Sequence, residues 1–126
     1  MSHFTYVRTQ LVASGFLKKG LQDLGYAVEE MCTVSGDQGV VRVDYRVTTP
    51  QGAQVGFVRK GEEEPYSLVA DWYRVRDLEP TDFLQRLSQR YAYHATRDVM
   101  ERQGFDLVAE EKTRDGQIRL TLRRIA

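Results

Sequence analysis

The sequence predicts an α+β fold: a two-layer sandwich in which a mostly antiparallel sheet carries two helices on one face. Three observations predict it. Two stretches repeat apolar residues at helical spacing, seven shorter ones alternate or run apolar as strands do, and brief polar turns separate most of the strands. Short turns favour antiparallel pairing, and strands with one apolar side need cover that only the two helices can supply. The order reads β-α-β-β-β-β-α-β-β over a single domain, residues 1–126.

Phe4 to Thr9 reads as the first strand. Ser14 has the hydroxyl of a helix N-cap, Phe16, Leu17, Leu21 and Leu24 follow at helical spacing, and Gly25 ends the run. Tyr26 to Val34 is a strand, Ser35 to Gly39 is turn chemistry, and Val41, Val43, Tyr45 and Val47 alternate with Arg42, Asp44 and Arg46. After Pro50–Gln51–Gly52 comes a strand from Gln54 to Arg59, then the charged loop Gly61 to Pro65. The next strand spans Tyr66 to Val75, with Leu68, Ala70 and Trp72 on one side. Pro80 suits a first helical turn, where its missing N–H costs nothing. Phe83, Leu84, Leu87, Tyr91, Ala95, Val99 and Met100 trace one face of the second helix, and Gly104 closes it. Phe105 to Glu111, the turn Arg114–Asp115–Gly116 and the alternation of Ile118, Leu120 and Leu122 give the final hairpin.

The two ends look alike. Leu24–Gly25–Tyr26 and Gln103–Gly104–Phe105 each lead through a strand and a polar turn into a strand bearing two arginines, Arg42 and Arg46 or Arg119 and Arg123. They read as two β-α-β-β units with an extra strand between them, an internal duplication. Helix-capping chemistry alone also favours a glycine before an aromatic strand start.

Composition bounds the function. A chain of 126 residues fits one domain, and 41% hydrophobic with 29% charged residues marks a folded protein. The 18 basic and 18 acidic residues cancel, removing the bulk charge that drives general nucleic-acid or membrane-surface binding. The single cysteine, Cys32, cannot form an intrachain disulfide and reads as a half-buried strand residue. No apolar run approaches the roughly 20 residues of a membrane span, and Met1–Ser2–His3–Phe4 lacks the pattern of a secretory signal. The expected location is the cytosol, or the plastid stroma if the chain is organellar.

The phosphate loop, the nucleophile elbow and paired Cys-x-x-Cys are missing from the sequence, and no cofactor or metal is read from it. His94 stands four residues before Asp98 on one helix face, either a proton-transfer or metal pair or a packed histidine satisfied by that acid. His3 reads as part of a fraying start. Asp71 and Tyr73, flanking Trp72, point away from the core if the strand is regular; they are a binding face or a cross-strand pair. Arg42, Arg46, Arg119, Arg123 and Arg124 either gather into a basic stripe or pair with Glu29, Glu30, Glu110 and Glu111 on neighbouring strands.

Met1–Ser2–His3–Phe4, Asp23–Leu24–Gly25–Tyr26, Leu68–Val69–Ala70–Asp71–Trp72, Gln89–Arg90–Tyr91–Ala92–Tyr93–His94 and Gly116 to Leu120 with Arg123–Arg124 form a specific set. Through them the chain resembles, end to end, the hypothetical chloroplast reading frame thirty-five proteins of plastids and cyanobacteria. The resemblance carries no assigned catalytic residues. It implies an accessory or adaptor role, with a ferredoxin or a ring-forming ATPase suggested as partner by gene association alone. The segment from Gln89 to His94 puts two aromatics and a histidine on nearby helix positions that cannot all face one core, so some are expected at the surface. The first expectation is therefore a non-enzymatic module whose helix face (Arg90, Tyr93, His94, Arg97) or strand face (Asp71, Tyr73) binds a protein partner. The second is a small-ligand or metal-binding enzyme using His94 and Asp98; the third is a nucleic-acid binder using the strand arginines.

Overall fold

The alternating segments pair antiparallel throughout the computed structural model, which describes residues 3–125. Met1 and Ser2, the first half of the Met1–Ser2–His3–Phe4 motif, lie outside the described residues, as does Ala126. The strands β1 (Thr5–Arg8), β2 (Glu29–Gly36), β3 (Gly39–Thr48), β4 (Gln54–Val58) and β5 (Ser67–Ala70) form one sheet in the order β1-β5-β4-β3-β2. The last two, β6 (Phe105–Lys112) and β7 (Ile118–Arg124), form a separate two-stranded sheet. Two helices, α1 (Ser14–Asp23) and α2 (Pro80–Arg102), pack against each other and against the larger sheet. The α+β sandwich and its element order stand as the sequence predicts; the division into two sheets is new.

Alternation decides which side of the large sheet is buried. Val47, Val55, Phe57 and Leu68 meet Leu17 and Leu21 of α1 and Phe83 and Leu87 of α2, all nearly inaccessible. Each such side chain stabilises the fold by about 1.5–3 kcal/mol. The opposite face holds a smaller cluster, Val34, Val43 and Val69. Val34 and Val43 crowd Gly56, where a Cβ would meet Val43 Cγ1 at 2.5 Å, so only glycine fits the centre of β4.

The ends of α1 show both a success and a correction. Gly25 takes φ +94°, and the amides of Gly25 and Tyr26 bond back to Gln22 and Leu21, the glycine stop the sequence indicates. Ser14 is not the N-cap. The helix already includes it, Ala13 occupies the cap position without a side-chain bond, and the hydroxyl of Tyr91 accepts from the amides of Val12 and Ala13 instead. At α2 Pro80 opens the helix as read, and the cap, which the sequence reading did not name, is the Glu79 carboxylate, accepting from the amides of Thr81 and Asp82.

The strand expected from Tyr66 to Val75 stops at Ala70 and continues as a 3-10 turn, Trp72–Arg74. Asp71 causes the departure. Its side chain turns inward, 2% exposed, and accepts a hydrogen bond from the backbone amide of Asp37 beyond the end of β2. Trp72 still packs against the main core and donates its indole N–H to the carbonyl of Thr5.

The single apolar face expected along α2 divides near Tyr91. Phe83, Leu84, Leu87 and Tyr91 face α1 and the large sheet, whereas Tyr93 is buried and Val99 is exposed. The distal half of α2 packs on β6 and carries the small hairpin.

Candidate functional site

The residues singled out on α2 are drawn together by an acid at the end of α1. A carboxylate at a helix C-terminus meets the negative end of the helix dipole and needs compensation. Asp23, the last residue of α1, finds it in Arg90 and His94, one turn apart on α2: Oδ2 lies 2.9 Å from Arg90 Nε and 2.6 Å from His94 Nε2. Partial burial pushes the Asp23 carboxyl up. The hydrogen bonds from His94 and Arg90 outweigh that effect and leave its pKa below the ordinary aspartate value.

From this centre the network runs outward. Arg90 also reaches Glu110 of β6 at 3.2 Å, and its guanidinium lies 4.2 Å over the Tyr93 ring. The Tyr93 ring meets the His94 imidazole edge-on at 5.0 Å, and its hydroxyl accepts from Arg97, which pairs with Glu101 at 2.8 Å. Of the candidates, Arg90, Tyr93, His94 and Arg97 therefore belong to one array, joined by Asp23 and Glu110. The array ties α1, α2 and the small hairpin together.

Three expectations change here. Tyr93 is 8% exposed, so it turns in toward the hairpin and does not project from an open helix face. The reason is that α2 is packed on two sides, Tyr91 toward Phe16 of α1 and Tyr93 toward the hairpin, so neighbouring aromatics are both covered. His94 pairs with Asp23, while Asp98 pairs with Arg102 at 3.1 Å, so the His94–Asp98 pair does not form. Asp71 is buried, whereas Tyr73 is 75% exposed, so these two do not share an open strand face.

The strand arginines do not gather into one stripe, because β3 and β7 belong to different sheets. Arg46 makes two bonds to Glu29, Arg119 pairs with Glu111 at 3.2 Å, Arg123 lies 3.6 Å from Asp106, and Arg124 covers the ring of Phe105. All four are cross-strand partners in register, three by charge and Arg124 by stacking on Phe105.

The second feature of the site is a groove between α2 and β7, about 550 Å³, lined by Ala92, Thr96 and Met100 on one side and Ile118, Leu120 and Leu122 on the other. Gln89 closes one end by bonding its amide to the carbonyl of Gly116 in the hairpin turn. A one-residue bulge at Val108 sets the hairpin's face. It lets Leu107 and Glu110, three residues apart, lie opposite Leu122 and Leu120 on the side turned to α2. Glu110, expected to pair with a strand arginine, instead meets Arg90 of α2, and Asp23 stands 71 residues from His94.

Chemically, the Asp23–His94 pair can hold and orient a proton, and no serine, cysteine or lysine nucleophile contacts it among the described bonds. Among the described residues no group of three or more His, Cys, Asp or Glu stands placed to hold a metal ion, and no helix is long and apolar enough to cross a membrane.

Fold and site together define a small α+β protein in which one helix packs its first half on a five-stranded sheet and is tied, through a partly exposed ionic array, to the other helix and to an auxiliary hairpin. Residues 20–121 match the family described as protein of unknown function (DUF1257), and the chain belongs to that family. It is similar to proteins described as "Uncharacterized protein ycf35" in Cyanophora paradoxa (34% identical), Pyropia yezoensis (32%) and Guillardia theta (34%), each alignment covering 98% of both chains. No solved structure matches.

Proposed function

We propose that this chain is a non-enzymatic accessory protein that binds a protein partner in the groove between α2 and β7. One observation carries the reading: the apolar side of β7 (Ile118, Leu120, Leu122) is only half covered by α2, and the resulting groove is open and mostly apolar. Its volume falls within the roughly 300–1,000 Å³ of pockets that hold ligands or side-chain anchors. The ionic array supports the reading in another way, since it fixes the hairpin to the body so that the groove keeps its shape. The cytosol or the plastid stroma is the proposed setting, and the ferredoxin or ring-forming ATPase suggested by the family resemblance is the first partner to try.

The test compares affinity capture from native cells by the tagged chain and by Leu120→Asp, with hydrogen exchange confirming that the large sheet of the variant is intact. A stoichiometric protein retained by the first and lost by the second is the expected result. Equal capture by both removes the groove as the site.

A further inference from the structure

We infer that the outer edge of β7 is the docking rail for one extended segment of a partner protein, a segment in which apolar and acidic residues alternate. This rests on the partner reading above and adds which strand is used and what the partner's sequence looks like.

The backbone of β7 has a free side. The hairpin's bonded ends are Thr113 N to Gln117 O and Ile125 N to Gly104 O. Bonded and non-bonded pairs alternate along an antiparallel ladder, so the amides of Arg119, Thr121 and Arg123 turn toward β6 and those of Leu120 and Leu122 turn outward. Among the described residues the small sheet contains only β6 and β7, which leaves those outward groups available for another strand. Natural edges are often blunted by bulges; here the bulge lies in β6, at Val108, and β7 runs regular from Ile118 to Arg124.

Side chains say what would dock. Leu120 and Leu122 point into the groove, so a strand added beside them drops every second residue against the apolar wall made with Ala92, Thr96 and Met100. The intervening residues stand beside Arg119 and Arg123 on the other face. Those side chains are 67% and 66% exposed, each with a carboxylate only on the β6 side, Glu111 or Asp106. A guanidinium has five donors in a planar fork, so an acid on the added strand completes its bonding, whereas a lysine there repels it. The same arginines disfavour a second copy of this chain: full-length antiparallel pairing of two β7 strands, centred on Thr121, sets Arg119 of one copy opposite Arg123 of the other.

The experiment measures fluorescence anisotropy of two labelled synthetic peptides, one alternating valine with glutamate and one alternating valine with lysine, against the full chain. The glutamate peptide is expected to bind on the order of ten-fold more tightly. The double variant Arg119→Glu/Arg123→Glu should reverse the preference, a gain that unfolding cannot mimic, and methylating the peptide's β7-facing backbone nitrogens should abolish binding. Equal binding of the two peptides, binding of neither, or an unreversed preference overturns the inference. If cells yield a groove-dependent partner while the peptides show no preference, strand addition fails and the partner reading stands. If the peptides behave as expected while no partner is captured, the functional reading fails and the edge site stands.

Discussion

The two hairpins of this protein are written in nearly the same local language and live in different surroundings. β2–β3 and β6–β7 each follow a glycine-stopped helix, Gly25 at φ +94° and Gly104 at φ +87°, and each sets arginines opposite acids across the ladder. The first is continued by β4 and β5 into a sheet whose inner residues reach 0% exposure. The second has no third strand among the described residues, and none of its apolar residues is fully buried. A two-stranded ribbon is marginal alone. What holds β6–β7 is its lean on α2, the Arg90–Glu110 pair and the Gln89–Gly116 bond. Like sequence patterns thus yield a deeply buried element in one place and a weakly covered one in the other.

The largest expected effect separates the two regions directly. Phe57→Ala, in the core of the large sheet, should cost about 3–5 kcal/mol and shift the whole unfolding transition in denaturant. Leu122→Ala, in the half-buried hairpin, should cost roughly 1 kcal/mol, seen by hydrogen exchange as faster opening of β6 and β7 alone. Equal global losses would mean that the hairpin is part of the main cooperative unit. A smaller effect is expected from Gln89→Ala, which removes the bond to Gly116 and should loosen the hairpin by about 0.5–1.5 kcal/mol without altering protection in β3 or β4.

The smallest effect concerns acidity. Asp23 has a pKa below its ordinary value in the fold, so it contributes stability above the unfolded aspartate pKa of about 3.9, and that contribution fades as pH falls through the folded value. Asp23→Asn should therefore be the less stable form near neutrality, with the gap to the native chain closing below about pH 4 in denaturant titrations. Its side chain is 30% exposed, so solvent keeps the difference small. A gap that widens in acid would rule out the ionic role assigned to Asp23.

Much of the fold was legible because local chemistry wrote it: glycine stops at Gly25 and Gly104, Pro80 at a helix start, Asp115–Gly116 in a hairpin turn, and clean alternation from Val41 to Val47. The division into two sheets was not legible, since alternation says that one side of a strand needs cover but not which layer supplies it. Asp71 was misplaced because a regular strand puts it outside, and only a distant backbone amide, that of Asp37, draws it in. The site was half legible. Arg90, Tyr93, His94 and Arg97 belong to it, but their partners Asp23 and Glu110 lie on other elements, and the bulge at Val108 breaks the parity by which Glu110 would be assigned a face.

Both ends of α1 answer to one short stretch of α2: the Tyr91 hydroxyl takes the amides at its start, and Arg90 and His94 hold the acid at its finish. At ten residues, α1 is too short to persist alone in water. Its helicity is therefore a tertiary property, borrowed from a segment more than half the length of the chain away. During folding α1 can pack its apolar face on the large sheet, but both of its ends stay open until α2 arrives, so the helix that is synthesised first is completed only by one synthesised late.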